Sequence, residues 1–129
     1  MKKIWINGCF DVLHRGHIEL FKYAKSLGGT VIVGIDSDNR VRHLKGHTRP
    51  INNEIDREFL LKSIRYIDEV VVFETESQLI GNIKQLNPDV MIVGSDYRNK
   101  RVIGSEHAKE LIFFERIGNY STTKILEKE

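Results

Sequence analysis

The chain of 129 residues has a single cysteine, only two prolines and no long apolar run. One cysteine, Cys9, excludes an internal disulfide and a cysteine metal cluster, and it fits a reducing compartment. Behind Met1-Lys2-Lys3 stands only a short apolar run, which is too short for a signal peptide or a membrane-spanning helix. We therefore expect a cytoplasmic protein that has no membrane partner.

The chain also lacks an excess of charge of either sign. Twenty lysines and arginines face 18 aspartates and glutamates, so the formal net charge is +2. Bulk charge therefore gives no indication of nucleic acid as a partner, although a local basic cleft would still suit an anionic nucleotide. With 40% apolar and 29% charged residues, residues 1–129 are expected to form one globular domain with its own core.

Short β-type runs alternate with helical patterns along the chain. The predicted strands are 4–6, 30–35, 69–73, 90–93 and 111–114. The predicted helices are 17–27, 53–65, 78–86 and 105–110, with a last one from Ser121. Residues 37–52 form the longest stretch predicted to be irregular. This alternation predicts an α/β domain with a five-stranded parallel sheet and helices on both faces, which binds its ligand beyond the carboxyl ends of the strands.

The segment from Phe10 to His17 is the most informative motif. It places His14 and His17 where the first strand gives way to the first helix. Unpaired backbone N–H groups and the positive end of the helix dipole make such a helix start a phosphate site. Gly16 has no side chain, so a ligand can approach the backbone closely there. Without its flanks, the same histidine pair would indicate a metal site or a solvated helix start.

Gly8-Cys9-Phe10-Asp11 followed by Leu13–His17 resembles the Gly-x-Phe-Asp-x-x-His-x-Gly-His motif of the nucleotidyltransferase superfamily that includes the cytidylyltransferases. The resemblance implies a Rossmann-like fold in which His14 and His17 are catalytic: they hold the triphosphate and stabilise charge during transfer. It also implies nucleotide contacts from the loop around them. These nucleotide-binding residues are Gly8, Cys9, Phe10, His14, Gly16 and His17.

A basic segment, Arg42 to Pro50, follows in the stretch predicted to be irregular. Leu44-Lys45-Gly46 with Thr48 to Asn52 resembles the corresponding loop of the heptose-1-phosphate adenylyltransferases. That resemblance implies a catalytic, phosphate-binding role for Lys45, whose charge would act in a loop over the triphosphate. A solvated basic loop is the alternative.

Acidic and basic residues near other strand ends complete the predicted site. Gly94 and Asp96 lie in a segment that resembles the family's Gly-x-Asp-aromatic element, which implies that both bind the nucleotide. Asp11 and Asp36 are predicted on the acceptor side, whereas Ser37 and Asp38 are interpreted as a turn and helix cap. Arg65 opens a segment that resembles glycerol-3-phosphate cytidylyltransferases, which implies an acceptor contact. A surface ion pair is the alternative there.

The C-terminal segment carries a Ser-Thr-Thr helix start, which the superfamily also has. Hydroxyls and backbone N–H groups at a helix start suit phosphate oxygens. Asn119 stands where the cytidylyltransferase pattern Arg-x-x-Gly-x-Ser-Thr-Thr has glycine, so this segment favours ATP. The residues here predicted to bind the nucleotide are Arg116, Tyr120, Ser121, Thr122 and Thr123.

Together these residues predict transfer of a nucleoside monophosphate from ATP or CTP, with release of pyrophosphate. The leading acceptor is heptose 1-phosphate with ATP, and the alternative is glycerol 3-phosphate with CTP. A nucleotide-binding protein without turnover is an alternative of another class, and a zinc module is a weaker one, its candidate ligands being His14, His17, His43 and His47. Mg²⁺ is expected to arrive with the triphosphate rather than in a dedicated metal site. The resemblance further implies a homodimer.

Overall fold

The structure, a computed structural model, describes residues 2–115. Its five strands are β1 (Lys2–Gly8), β2 (Gly29–Asp36), β3 (Glu69–Phe73), β4 (Val90–Gly94) and β5 (Glu110–Phe114). They pair in parallel in the order β3-β2-β1-β4-β5. The predicted five-stranded parallel sheet is therefore confirmed, and β1 and β2 are buried runs flanked by neighbours on both sides.

Within residues 2–115, four α-helices cover the sheet: α1 (Arg15–Ser26), α2 (Asp38–Lys45), α3 (Glu54–Lys62) and α4 (Glu76–Leu86). Alternate residues of β1 show why helices are needed on both faces. Ile4 and Ile6 belong to a core that includes Phe21 of α1 and Leu61 of α3, whereas Trp5 packs with Leu79 and other residues on the opposite face. Both faces bury apolar side chains, as expected for a parallel sheet.

Two predicted segments differ from the structure. The stretch 37–52 is not wholly irregular, because α2 occupies its first half. Ser37 caps α2 by accepting a hydrogen bond from the Arg40 backbone N–H, which confirms the helix-cap interpretation, and Gly46 ends it with a φ of 100°. The predicted helix 105–110 is only a short 3₁₀ helix, Ser105–His107, and β5 already begins at Glu110.

The strand order determines where a ligand can bind. The chain runs outward from β1 through β2 to β3, and then returns to β4 on the other side of β1. The loops that follow β1 and β4 therefore diverge at the carboxyl ends of these neighbouring strands. Such a switch point opens a crevice, which is the usual ligand site of an open α/β sheet.

Candidate active site

A cavity of about 580 Å³ opens at this switch point. The loop after β1 lines it, together with α2 and the segment after β4. The lining residues that matter here are Gly8, Cys9, Phe10, Asp11, His14, Gly16, His17, Asp36, Arg40, Lys45, Gly94, Asp96 and Tyr97. The structure therefore brings the predicted residues of the described chain together in one cavity, with the exception of Arg65.

The two histidines line the cavity side by side. Their rings stack with centroids 3.8 Å apart and planes inclined by 19°. His14 is the N-cap residue of α1, and its backbone N–H donates to Nδ1 of His17 at 3.3 Å. Because that nitrogen accepts, a neutral His17 carries its proton on Nε2. The first turn of α1 adds backbone N–H groups and the positive helix end, so the arrangement is suited to phosphate oxygens.

Phe10 supports this geometry from beneath. It has a φ of 49°, a left-handed conformation that is uncommon for a residue other than glycine. Its nearly buried ring makes edge contacts with His17 and with Phe21, at centroid distances of 5.1 and 5.2 Å. The turn therefore anchors in the core the loop between β1 and α1, residues 9–14, which is called the phosphate loop for its predicted role. It also holds the imidazole of His17 against the Phe10 ring.

Lys45 and Cys9 lie close enough to interact electrostatically. Burial raises the pKa of the Cys9 thiol, and the charges of Lys45 and Arg57 offset this only in part. The thiol is therefore protonated at neutral pH and a poor nucleophile. Lys45 is exposed and is the last residue of α2, not part of an irregular loop as predicted.

Asp11 has a different environment from the one that an acceptor contact would require. Its side chain is fully buried, and its carboxylate accepts hydrogen bonds from the backbone N–H groups of Ile51 and Asn52 at 2.8–2.9 Å. It also pairs with Nε of Arg49 at 3.1 Å. These bonds tie the segment after α2 to the phosphate loop, so the position favours a structural role for Asp11.

Arg57 supports the site from the predicted helix 53–65, although no role is predicted for it from the sequence. Its guanidinium is fully buried, and its Nη1 donates to the carbonyls of Cys9 and Asp36 at 3.1 and 2.7 Å. Nε donates to the carbonyl of Asn52, and Nη2 pairs with Asp38 at 2.8 Å. One side chain thus joins the ends of β1 and β2 to the starts of α2 and α3. The sequence signal is weak, because an arginine in a helical pattern usually indicates a surface.

The segment after β4 supplies the opposite wall of the cavity. A Cβ on Gly94 would stand 2.6 Å from a carboxylate oxygen of Asp96, so the glycine makes room for that side chain. Tyr97 is partly exposed at the rim, with the Lys100 ammonium 5.6 Å from its ring centroid. Gly94 and Asp96 therefore lie where the prediction of a nucleotide contact requires them.

Arg65 lies away from the cavity. It precedes the start of β3, is exposed, and donates to the hydroxyl of its neighbour Tyr66 at 3.0 Å. Asp68, three residues further along the chain, binds the Val31 backbone N–H and Lys25, each at 2.8 Å. The structure thus places the Arg65 segment at the amino ends of β2 and β3, far along the strands from the predicted site.

Five predicted nucleotide-binding residues lie outside the described part of the chain: Arg116, Tyr120, Ser121, Thr122 and Thr123. The zinc alternative finds no support within residues 2–115, where no three His, Cys, Asp or Glu side chains are grouped to hold a metal ion. No helix in this same range is long and apolar enough to cross a membrane.

Fold and site together define a Rossmann-like α/β domain with a His-x-Gly-His segment at the switch point of its parallel sheet. The family model described as "Cytidylyltransferase-like" matches residues 5–128. The chain belongs to the cytidylyltransferase-like family, which confirms the predicted family and the enzyme class, nucleotidyltransferase.

Individual relatives give more specific comparisons than the family model. The chain is 51% identical over 127 residues to "Bifunctional protein HldE" of Helicobacter pylori strain P12, and 44% identical over 125 residues to the protein of that name from Nitratiruptor sp.. The alignments cover 98% and 97% of this chain but only 27% of each relative. A crystal structure of the lipopolysaccharide core biosynthesis protein from Thermoplasma volcanium GSS1 is 25% identical and has a TM-score of 0.70, covering 94% of this chain and 99% of that one.

Proposed function

We propose that the protein transfers AMP from ATP to heptose 1-phosphate and releases pyrophosphate. The observation that carries the proposal is the stacked pair His14 and His17 at the start of α1, facing a cavity at the switch point of the sheet. Similarity to the bifunctional relatives supports this choice of acceptor. The sequence resembles the heptose-1-phosphate adenylyltransferase branch, and the match to "Bifunctional protein HldE" covers 98% of this chain at 51% identity.

The reaction is an in-line displacement at phosphorus. An oxygen of the acceptor phosphate forms a bond to the α-phosphorus, the bond from that phosphorus to the bridging oxygen breaks, and pyrophosphate leaves with the electron pair. His14, His17 and Lys45 stabilise the charge that develops on the phosphate oxygens. No covalent enzyme intermediate is needed, in keeping with the protonated thiol of Cys9.

Mg²⁺ belongs to this proposal as a partner of the triphosphate. Mg²⁺ prefers hard oxygen ligands, so it would bind the phosphate oxygens and neutralise part of their charge, and the Asp96 carboxylate lines the same cavity. We also propose a cytoplasmic location, supported by the single cysteine and the expected use of ATP.

A homodimer is part of the proposal as well. Ile55 and Phe59 lie four residues apart on α3 and are 74% and 69% exposed, and Ile51, in the segment that leads into this helix, is 56% exposed. A row of large apolar side chains in water is typical of a protein interface. Light scattering should give twice the 15.0 kDa chain mass, and Phe59→Glu should return the protein to that chain mass.

A matrix of pyrophosphate-release assays tests the function. ATP and CTP are each combined with heptose 1-phosphate and with glycerol 3-phosphate, and the products are identified by mass spectrometry. ATP with heptose 1-phosphate is expected to give the highest kcat/KM. A clear preference for CTP with glycerol 3-phosphate would favour the alternative transferase, and binding of ATP without any turnover would favour a non-catalytic role.

A further inference from the structure

The cavity contains a cation that the histidine, lysine and glycine motifs do not include. Arg40 is the third residue of α2 and lines the cavity on the β2 side. Its Nε pairs with a carboxylate oxygen of Asp36 at 2.7 Å, and the two side chains are only 17% and 14% exposed. The guanidinium carbon stands 5.5 Å from the ring centroid of Phe73. Arg40 is thus held on two sides, unlike a solvated surface arginine.

The remaining donors of Arg40 are the ones of interest. Within residues 2–115, Nε is the nitrogen of this side chain that makes a hydrogen bond. A guanidinium carries four more N–H groups on its terminal nitrogens, in a fixed fork that matches two oxygens of a phosphate. An ion pair through Nε with stacking on an aromatic ring leaves that fork available for a ligand.

The ion pair of Asp36 and Arg40 lies next to the phosphate loop. Gly8 pairs with Ile35 in the sheet, so Asp36 comes directly beside the loop that begins at Cys9. The buried Arg57 also bonds the carbonyls of Cys9 and Asp36 through one nitrogen. Arg40 therefore lines the β2 side of the cavity. Gly94 and Asp96 line the β4 side, and β1 lies between the two.

We propose that Arg40 binds the phosphate group of the acceptor, and that Asp36 positions it by fixing Nε. The inference rests on the proposed function, in which two anions must meet. An acceptor phosphate has to come within bonding distance of a triphosphate, and charge repulsion opposes that approach. A guanidinium beside the phosphate loop, on the side away from β4, would offset the repulsion and hold the attacking oxygens bidentately.

Steady-state kinetics with both substrates test the assignment. Arg40→Met should lower kcat/KM for heptose 1-phosphate by about 10–100-fold, the effect of one charged hydrogen-bonded contact. The dissociation constant of ATP should change by less than about twofold, since the contact is not with the nucleotide. Arg40→Lys should recover part of the loss, because it keeps the charge without the fork.

Arg42→Met is the matched control. Arg42 lies on the same helix, is exposed, and bonds Asn39 instead of lining the cavity. Its kinetics should equal those of the unaltered protein. An Arg40→Met variant with acceptor kinetics within about twofold of the unaltered protein would overturn the proposal, and so would an equal loss of ATP binding. If Arg40→Met does not fold, as judged by circular dichroism, an unchanged acceptor KM in Arg40→Lys would overturn it.

A binding measurement separates this proposal from the proposed function. The protein is saturated with a non-hydrolysable ATP analogue and titrated with inorganic phosphate in a calorimeter. The unaltered protein should bind phosphate, and Arg40→Met should bind it at least about tenfold more weakly. Absence of turnover together with this difference would reject the transfer reaction and retain the anion site. Equal phosphate binding by both proteins would reject the Arg40 site even if turnover is observed.

Discussion

The carboxyl and amino ends of the sheet both carry ion pairs, but of different kinds. At the carboxyl end, Asp11 and Arg57 have fully buried side chains that bind backbone groups of several segments. At the amino end, Lys25 with Asp68 and Lys109 with Asp89 are substantially exposed. Buried charges are expensive unless every partner is present. Their concentration around the cavity shows where the fold maintains a defined backbone geometry.

The same difference between the two ends of the sheet explains why Arg65, predicted as a site residue, does not line the cavity. In sequence, Arg65 and Asp68 look much like Asp36 and Arg40, since all are charged residues next to strands. The structure separates them by strand direction: Asp36 ends β2, whereas Asp68 precedes β3. In a parallel sheet, only the residues that follow the strands face the switch point.

Removing the buried guanidinium of Arg57 should give the largest loss of stability. Arg57→Met leaves Asp38 and three backbone carbonyls without their donor, so we expect unfolding to become easier by about 3–5 kcal/mol. Chemical denaturation measures this effect. Lys25→Met, which removes the exposed ion pair at the amino end, is the control and should change stability by less than about 1 kcal/mol. Equal losses in the two variants would remove the distinction between the two ends.

The histidines should show the largest effect on catalysis. His14→Ala and His17→Ala should each lower kcat by about 100–1000-fold or more, the usual cost of losing a preorganised donor to developing charge. Circular dichroism should show that both variants fold. A variant that keeps more than about a tenth of the activity would contradict the role of that histidine.

Lys45 should separate catalysis from stability. It is exposed at the end of α2, so Lys45→Ala should alter the free energy of unfolding by less than about 0.5 kcal/mol. Its charge in the cavity predicts a clear loss in kcat/KM. Unchanged kinetics for both substrates would favour the alternative, in which Lys45 is a solvated surface residue without a catalytic role.

Asp68 should give the smallest effect, and only above acidic pH. Burial opposes its ionisation, but hydrogen bonds from Lys25 and the Val31 backbone N–H outweigh this and lower the pKa of Asp68. A carboxylate with a lowered pKa stabilises the fold above its unfolded pKa, and that contribution is lost as the pH falls through the folded pKa. Asp68→Asn should therefore cost less than about 1 kcal/mol at pH 7, and nothing at a pH below both pKa values. A cost that persists in acid would show that the aspartate acts through packing.

Much of the fold was predictable from the sequence, because strand–helix alternation implies a parallel sheet and the His-x-Gly-His segment marks its phosphate loop. Helix α2 was not, because Val41 is its one buried residue and so it shows no apolar stripe. The helix cap at Ser37 was the available signal. The role of Arg57 was not predictable for a different reason. A charged residue in a helical pattern indicates a surface position unless its buried partners are known. The partners of Arg57 come from four separate segments of the chain.

We propose that the carboxyl end of the sheet forms the nucleotide site. An NMR titration of ¹⁵N-labelled protein with a non-hydrolysable ATP analogue and Mg²⁺ tests it most directly. The amide signals of Gly8 to His17 and of Gly94 to Tyr97 should shift at saturation, while those of Arg65 to Glu69 and of Asp89 stay in place. Shifts concentrated at the amino end, or no saturable shift in the His14–His17 turn, would contradict the account.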